Sequence, residues 1–113
     1  MHEYSIVQAL LAEVHRQAQA HAAASIRRLH VQIGEISGVE IPLFETAYRT
    51  FRQRTICEHA ELEVHPIAVH WICPRCERSV EPGDFLRCSV CGIPARLGAG
   101  DEIVLQRIEM EVM

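Results

Sequence analysis

The segment CPRCERSVEPGDFLRCSVC, residues 73–91, decides the fold of the region around it. Its four cysteines form two C-x-x-C pairs separated by eleven residues, a spacing that brings four thiolates onto one tetrahedral ion. Residues 70–95 contain too few large hydrophobic side chains for a core of their own, so a metal must replace that core. The pattern predicts a structural zinc site formed by Cys73, Cys76, Cys88 and Cys91.

Other chemistries remain open for these four cysteines. A full shell of thiolates leaves no position for an activated water, which argues against hydrolytic zinc catalysis. Iron in a rubredoxin-like site has the same spacing, and redox-active dithiols or buried free thiols are further alternatives. Cys57 lies outside the pairs and is expected to be a buried small hydrophobe without a role.

Length and composition restrict the class of protein. The chain has 113 residues, 49% of them apolar and 23% charged, which predicts one compact globular unit and excludes a large multidomain enzyme. The formal net charge of −4 argues against a general binder of polyanions. The N-terminus resembles neither a signal peptide nor a membrane span, so we expect a cytoplasmic protein.

Periodicity along the chain predicts two helices and three strands. A capping box at Ser5 and Gln8 predicts a first helix that starts at or just before Ser5. Alternation predicts strands at 29–33 and 61–65, with a helix at 41–54 between them. In the last strand the alternation slips around Gln106, which indicates either a bulge or one strand that serves two sheets.

These elements predict an α+β fold with two helices on a three-stranded sheet. We expect residues 1–69 and 101–113 to form an α/β subdomain, and residues 70–100 to form an inserted zinc ribbon. The closing strand returns to pair with the first part of the chain.

The N-terminal residues Met1, His2 and Glu3 place an amine, amide nitrogens, an imidazole and a carboxylate close together. With the helix starting near Ser5, these groups would be exposed and free to bind a metal. The amine, the adjacent amide and the imidazole can form fused chelate rings in the tetragonal arrangement typical of Ni(II) or Cu(II). On the residues alone, an ordinary terminal histidine and a first-turn acid are the simpler interpretation.

The remaining histidines and the arginine clusters are expected to have ordinary surface roles. His59, His65 and His70 could assist the zinc region but are interpreted as strand and surface residues. His15, His21 and His30 are assigned to polar faces. Arginine clusters at 27–28 and 49–54 could dock a partner, and solvated side chains are the simpler interpretation.

Five segments together resemble the HypA/HybF family of hydrogenase maturation nickel chaperones. They are MHEYSIVQALL at the start, VQIGEISGVE at 31–40, CPRC, CSVC and the closing strand IEMEV. The resemblance covers essentially the whole chain. It implies that Met1 nitrogen, His2 and Glu3 bind Ni(II) as transient cargo, and that the four paired cysteines bind structural Zn(II). It also implies an acidic neighbour of nickel at the start of the second helix, where some members have Asp and this chain has Glu40.

The same resemblance implies a non-enzymatic metallochaperone with defined partners. These are a hydrogenase accessory GTPase, a nickel–iron hydrogenase large-subunit precursor and, in some members, urease maturation proteins. Members of the family form either monomers or homodimers, so the resemblance leaves the oligomeric state open. Neither nucleic acid nor a membrane is expected as a partner. Two rival functions are a zinc-ribbon adaptor for protein or nucleic acid and a rubredoxin-like iron electron carrier.

Overall fold

A computed structural model describes residues 2–112 of the chain. Its elements are, in order, helix α1 (His2–Ala20), strand β1 (Ala23–Gly34), helix α2 (Ile41–Phe51), strand β2 (Glu61–Ile67), strand β3 (His70–Ile72), strand β4 (Ser79–Val80), a short 3-10 turn (Pro82–Asp84), strand β5 (Arg96–Ala99) and strand β6 (Ile103–Val112). The α+β class predicted from the sequence is confirmed.

The first sheet has the order β2-β1-β6, with both helices on one of its faces. β1 pairs parallel with β2 and antiparallel with β6, because the α2 crossover returns the chain in the same direction. The core holds Val7 and Val14 from α1, Leu29 and Val31 from β1, and Phe44 from α2, each fully buried. The expected arrangement of two helices on a three-stranded sheet is therefore observed.

The opposite face of the first sheet is polar. Since neighbouring strand residues point to opposite faces, Arg28, His30 and Gln32 alternate with the buried Leu29, Val31 and Ile33 along β1. Both helices pack against the other, apolar face. It carries the charged side chains of all three strands.

The slip in the alternation of β6 is a bulge. His30 pairs with Arg107 and Val31 with Leu105, so Gln106 has no partner residue on β1. The extra residue moves the core-facing side chains of β6 from one phase to the other. The alternative of one strand serving two sheets is wrong, because within residues 2–112 β6 pairs with β1 alone.

A second, smaller sheet has the order β4-β3-β5 and carries the four paired cysteines. Its buried side chains are Cys73, Val80 and Cys88, with Trp71 packed against them. One non-cysteine residue in a buried cluster is too little apolar burial to hold some thirty residues together. The division of the chain at residues 70 and 100 into two subdomains remains a prediction.

Two glycines join the sheets at their closest approach. A side chain at Gly34 would have its Cβ 2.2 Å from the Gly100 carbonyl oxygen. Gly100 has a φ of +104° and a backbone that lies against Val69. Hydrogen bonds of 2.8 Å from Gly34 N–H to Glu102 O and from Ile36 N–H to Gly100 O close this junction.

Four predicted boundaries are wrong, and the short strands β3, β4 and β5 were not predicted. Strand β1 begins at Ala23 rather than at residue 29, because its pairing with β6 extends to Ala23 opposite Val112. Helix α1 begins at His2 rather than near Ser5, because contacts with the loop before α2 extend the helix by a turn. Helix α2 ends at Phe51 rather than at residue 54, where Arg54 has a left-handed φ of 63°. Strand β2 continues through Pro66 to Ile67, which an edge strand tolerates although proline donates no hydrogen bond. None of the helices within residues 2–112 has the length and apolar character needed to cross a membrane.

Candidate metal centres

The four paired cysteines form one compact cluster at the end of the second sheet. Their sulfur atoms all lie within 4.8 Å of one another, and Cys76 Sγ is 3.6 Å from Cys88 Sγ. Four sulfurs bound to zinc at about 2.3 Å in a tetrahedron are about 3.8 Å apart. The chemistry and spacing of the cluster therefore fit a zinc ion, as predicted for Cys73, Cys76, Cys88 and Cys91.

Each C-x-x-C pair lies in a tight turn that presents amide groups to sulfur. Cys73 Sγ accepts from the amides of Arg75 and Cys76 at 3.4 and 3.5 Å, and Cys88 Sγ accepts from those of Val90 and Cys91 at 3.4 and 3.3 Å. The residue after each pair, Glu77 or Gly92, has a left-handed φ of 63° or 69°. Glycine suits that conformation, since it has no Cβ to clash. The two turns therefore present their thiolates in the same way.

The environment of these thiols favours a bound cation. Amide donation from Cys76 and Arg75 lowers the pKa of the Cys73 thiol to about 6, and amide donation from Cys91 and Val90 lowers that of Cys88. Burial and the neighbouring thiols instead raise the pKa of Cys91 to about 12. A divalent ion at the centre removes this conflict, because it stabilises all four thiolates at once.

The N-terminus of α1 packs against the loop that precedes α2. His2 Nε2 lies 2.7 Å from the carbonyl oxygen of Gly38, a residue of this loop three positions before the start of α2. A carbonyl only accepts, so Nε2 carries the hydrogen and donates it. Nδ1 is thereby left as the nitrogen with a free lone pair. The His2 side chain is 62% exposed, as the sequence predicts, and this hydrogen bond holds its ring in one tautomer.

Glu3 is a buried charged residue among residues 2–112, with 7% of its surface exposed. Its carboxylate accepts from the Glu40 amide at 3.3 Å and lies 3.5 Å from His2 Nε2. Hydrogen bonds from its own amide and from that of Glu40 lower the pKa of the Glu3 carboxyl. The expectation that Glu3 is exposed is wrong, because the first turn of α1 and the loop enclose it.

Glu40 meets this site through its backbone. Glu40 directly precedes α2, in an extended backbone conformation, and is exposed to solvent. Its backbone amide is the group that contacts Glu3. Met1, the remaining predicted nickel ligand, lies outside the described residues. The sequence did not single out the Gly38 carbonyl, since a backbone acceptor 36 residues from His2 leaves no sequence pattern.

Cys57 is fully buried, as predicted, and burial raises its pKa to about 11. Two of the arginines considered for docking have structural contacts. Arg52 donates to Ala60 O at 2.8 Å and lies over the Tyr48 ring. Arg28 pairs with Glu61 at 3.0 Å on the polar face of the first sheet.

Comparison with known proteins gives a consistent result. Residues 1–110 match the family described as hydrogenase/urease nickel incorporation, metallochaperone, hypA. The chain is 38% identical to the hydrogenase maturation factor HypA of Wolinella succinogenes over 114 residues, covering 98% of this chain and 96% of that protein. It is 36% identical to the factor of the same name from Shewanella baltica over 115 residues, covering 98% and 97%.

Solved structures agree with these sequence matches. The solution structure of the Ni metallochaperone HypA from Helicobacter pylori is 32% identical, with a TM-score of 0.76 and full coverage of both chains. A second solution structure of a HypA protein has the same identity and a TM-score of 0.82, covering 100% of this chain and 98% of the other.

Proposed function

The chain belongs to the HypA family of hydrogenase and urease nickel-incorporation metallochaperones, and from this premise we propose that it collects Ni(II) at the N-terminus of α1 and releases it to a maturing hydrogenase. The observation that carries the proposal is the buried Glu3 carboxylate beside a His2 ring held in one tautomer. A buried charge costs free energy unless it has a partner, and such residues concentrate at functional sites.

His2 is prepared to bind nickel through Nδ1. A chelate ring that includes the His2 amide nitrogen and its own imidazole closes through Nδ1, and the hydrogen bond from Nε2 to Gly38 O leaves that atom free. The first amides of a helix have no partner within the helix, so the His2 amide is available as a further donor. With the Met1 amine these nitrogens make a tetragonal set suited to Ni(II).

Glu3 supplies negative charge to this site. Its lowered pKa keeps the carboxyl ionised at neutral pH, and its amide contacts fix it within reach of the His2 ring. The Glu40 amide donates a hydrogen bond to the Glu3 carboxylate. We assign the exposed Glu40 carboxylate a weaker role toward nickel, either as a direct ligand or through its charge. Met1, His2 and Glu3 are therefore the proposed ligands, with Glu40 as their neighbour.

Zinc has a structural role beside the second sheet. Four thiolates, from Cys73, Cys76, Cys88 and Cys91, would fill the coordination shell of the zinc ion and leave no open position for a substrate. Zinc would supply the folding free energy that the small apolar cluster around Val80 lacks. We accordingly infer that the protein is a carrier rather than an enzyme. The family match does not favour a zinc-ribbon adaptor or a rubredoxin-like iron carrier.

Release of nickel follows from proton competition and from transfer to client ligands. Nickel binding displaces protons from the amide and amine donors, so affinity falls as the pH falls. The proposed partners are a hydrogenase accessory GTPase and the nickel–iron hydrogenase large-subunit precursor, in the cytoplasm. Urease maturation proteins and a second copy of the chain are further proposed partners.

Native mass spectrometry of the untagged, zinc-loaded protein titrated with Ni(II) tests the proposal. We expect His2→Ala to lose one nickel per chain while it retains zinc. His59→Ala is the matched control, because that side chain is 92% exposed and contacts Glu58, which is not among the proposed ligands. Equal nickel uptake by His2→Ala and His59→Ala would refute a carrier site at the N-terminus of α1.

A further inference from the structure

Strand register gathers a third group of metal-binding side chains on the polar face of the first sheet. His30 of β1 lies opposite Glu63 of β2, and His65 is two residues further along β2 on the same face. Glu109 of β6 approaches His30 from the other side. No sequence pattern joins these residues, since they belong to three different strands.

The donor atoms of this group are close enough to share one ion. His30 Nδ1 lies 3.1 Å from His65 Nε2, and the Glu63 carboxylate oxygens are 3.6 Å from the first nitrogen and 3.9 Å from the second. Two nitrogens that are each about 2.0–2.1 Å from one ion, at angles of about 90–110°, are about 2.9–3.4 Å apart. The observed separation falls in that range.

The arrangement is also accessible and adjustable. The His30 side chain is 13% exposed and therefore held in place, whereas His65 lies on the edge strand with 39% of its side chain exposed. The two rings are nearly parallel, 7° apart. A rotation of the His65 ring directs its lone pair and that of His30 toward a common point beside Glu63.

Glu109 orients the inner histidine. Its carboxylate oxygen lies 2.5 Å from His30 Nε2, which fixes the hydrogen on that nitrogen and leaves Nδ1 with a lone pair facing His65 and Glu63. A carboxylate that accepts the second N–H of a ligating imidazole is the usual support of a protein metal site.

The local charge favours a cation. The carboxylates of Glu61, Glu63 and Glu109 surround a single close guanidinium, that of Arg28, whose contacts with them range from 3.0 to 4.0 Å. Arg107 adds a positive charge near Glu109. The group therefore retains excess negative charge while both imidazoles are neutral.

We propose that His30, Glu63 and His65 bind a second divalent transition-metal ion on the polar face of the first sheet, with Glu109 as the positioning residue. Two imidazoles and one carboxylate suit Zn(II), Ni(II) or Cu(II) rather than Mg(II) or Ca(II), which prefer all-oxygen shells. The site is independent of the nickel site proposed at the N-terminus of α1. Without metal, one hydrogen lies between His30 Nδ1 and His65 Nε2. When the metal binds, this hydrogen either leaves or moves to His65 Nδ1.

The test uses the full, zinc-loaded chain with His2→Ala, so that the proposed N-terminal site cannot contribute. Isothermal titration with Ni(II) and, separately, with Zn(II) is compared in this parent and in the same chain carrying His65→Gln, Glu63→Gln, Glu109→Gln or His59→Gln. Circular dichroism verifies that each variant is folded, and two ligand variants are included so that one failure to fold leaves the other.

We expect the parent to bind one further metal ion per chain. His65→Gln or Glu63→Gln should weaken binding at least about 10-fold through loss of a ligand, and Glu109→Gln about 10- to 100-fold through loss of its support to His30. His59→Gln should match the parent. In NMR spectra, substoichiometric Ni(II) should broaden the ring signals of His30 and His65 before those of His15, His21 and His70.

If His30 and His65 form only a hydrogen-bonded pair that binds no metal, the titrations and the NMR spectra will differ from this expectation. Equal affinity of the parent, His65→Gln and Glu63→Gln, or broadening that is uniform over all exposed histidines, would overturn the proposal. Loss of nickel in His2→Ala alone concerns only the N-terminal site, so the two proposals fail separately.

Discussion

Substitution of Gly34 by alanine tests how the first sheet, the second sheet and the loop before α2 are held together. The new Cβ would lie 2.2 Å from Gly100 O and 2.7 Å from the Asp101 nitrogen, both backbone atoms. Relief requires a backbone shift of roughly 1 Å, which is overpacking of a kind that costs about 1–3 kcal/mol. The shift also weakens the two 2.8 Å hydrogen bonds at the junction, from Gly34 to Glu102 and from Ile36 to Gly100, at about 0.5–1.5 kcal/mol each.

We therefore expect Gly34→Ala to lower the free energy of unfolding by about 2–6 kcal/mol, measured by urea denaturation of the zinc-loaded protein followed by circular dichroism. Gly83→Ala is the matched control: a Cβ there meets nothing within 4 Å. Its stability should stay within about 1 kcal/mol of the original, since alanine restricts the unfolded chain. Nickel affinity should also fall in Gly34→Ala, because the displaced loop carries Gly38 and Glu40. A stability change under about 0.5 kcal/mol would refute the close-approach reasoning.

Four further predictions concern single groups. The folded-state pKa of the Glu3 carboxyl is lowered, so the ionised carboxylate stabilises the protein above the ordinary carboxyl pKa, and this stabilisation is lost as the pH falls through the folded-state pKa. In Glu3→Gln the melting temperature should therefore fall less steeply as the pH is lowered. Parallel curves of melting temperature against pH for the two proteins would contradict this. Tyr48→Phe removes a buried 2.9 Å hydrogen bond to Ala60 O and should cost about 0.5–1.5 kcal/mol in urea denaturation, with an unchanged midpoint as the opposing result. Trp71 packs on the cysteine cluster, so removal of zinc by a chelator, or Cys91→Ser, should change its fluorescence. The helical circular dichroism from α1 and α2 should remain. An unchanged Trp71 signal would count against zinc as the core of this region. Burial and a pKa raised to about 11 should leave Cys57 unmodified by iodoacetamide at pH 7.5 until the protein unfolds, and rapid labelling of the folded protein would show the opposite.

Local patterns in the sequence predicted a large part of the fold. The two helices, the order of the three strands of the first sheet and the slip at Gln106 follow from side-chain periodicity, which is a property of neighbouring residues. Pairing with β1 decides that this slip is a bulge. Each C-x-x-C turn is equally local, because a two-residue spacer brings its two sulfurs to the same side of one turn. For the same reason Cys57, outside both turns, was correctly predicted to be a buried thiol.

Contacts between distant parts of the chain decided the rest. The start of α1 at His2 depends on Gly38 and Glu40, which are 36 and 37 residues away from the groups they contact. The His30 cluster depends on partners 35 and 79 residues away, so its histidines were interpreted as ordinary surface residues. The sequence by itself determined the two helices, the three strands of the first sheet and the paired cysteines that could hold zinc, because periodicity and a two-residue spacer act within a few residues. Only the tertiary structure decided where His2, Glu3 and His30 find their partners, because strand register and loop packing set those distances.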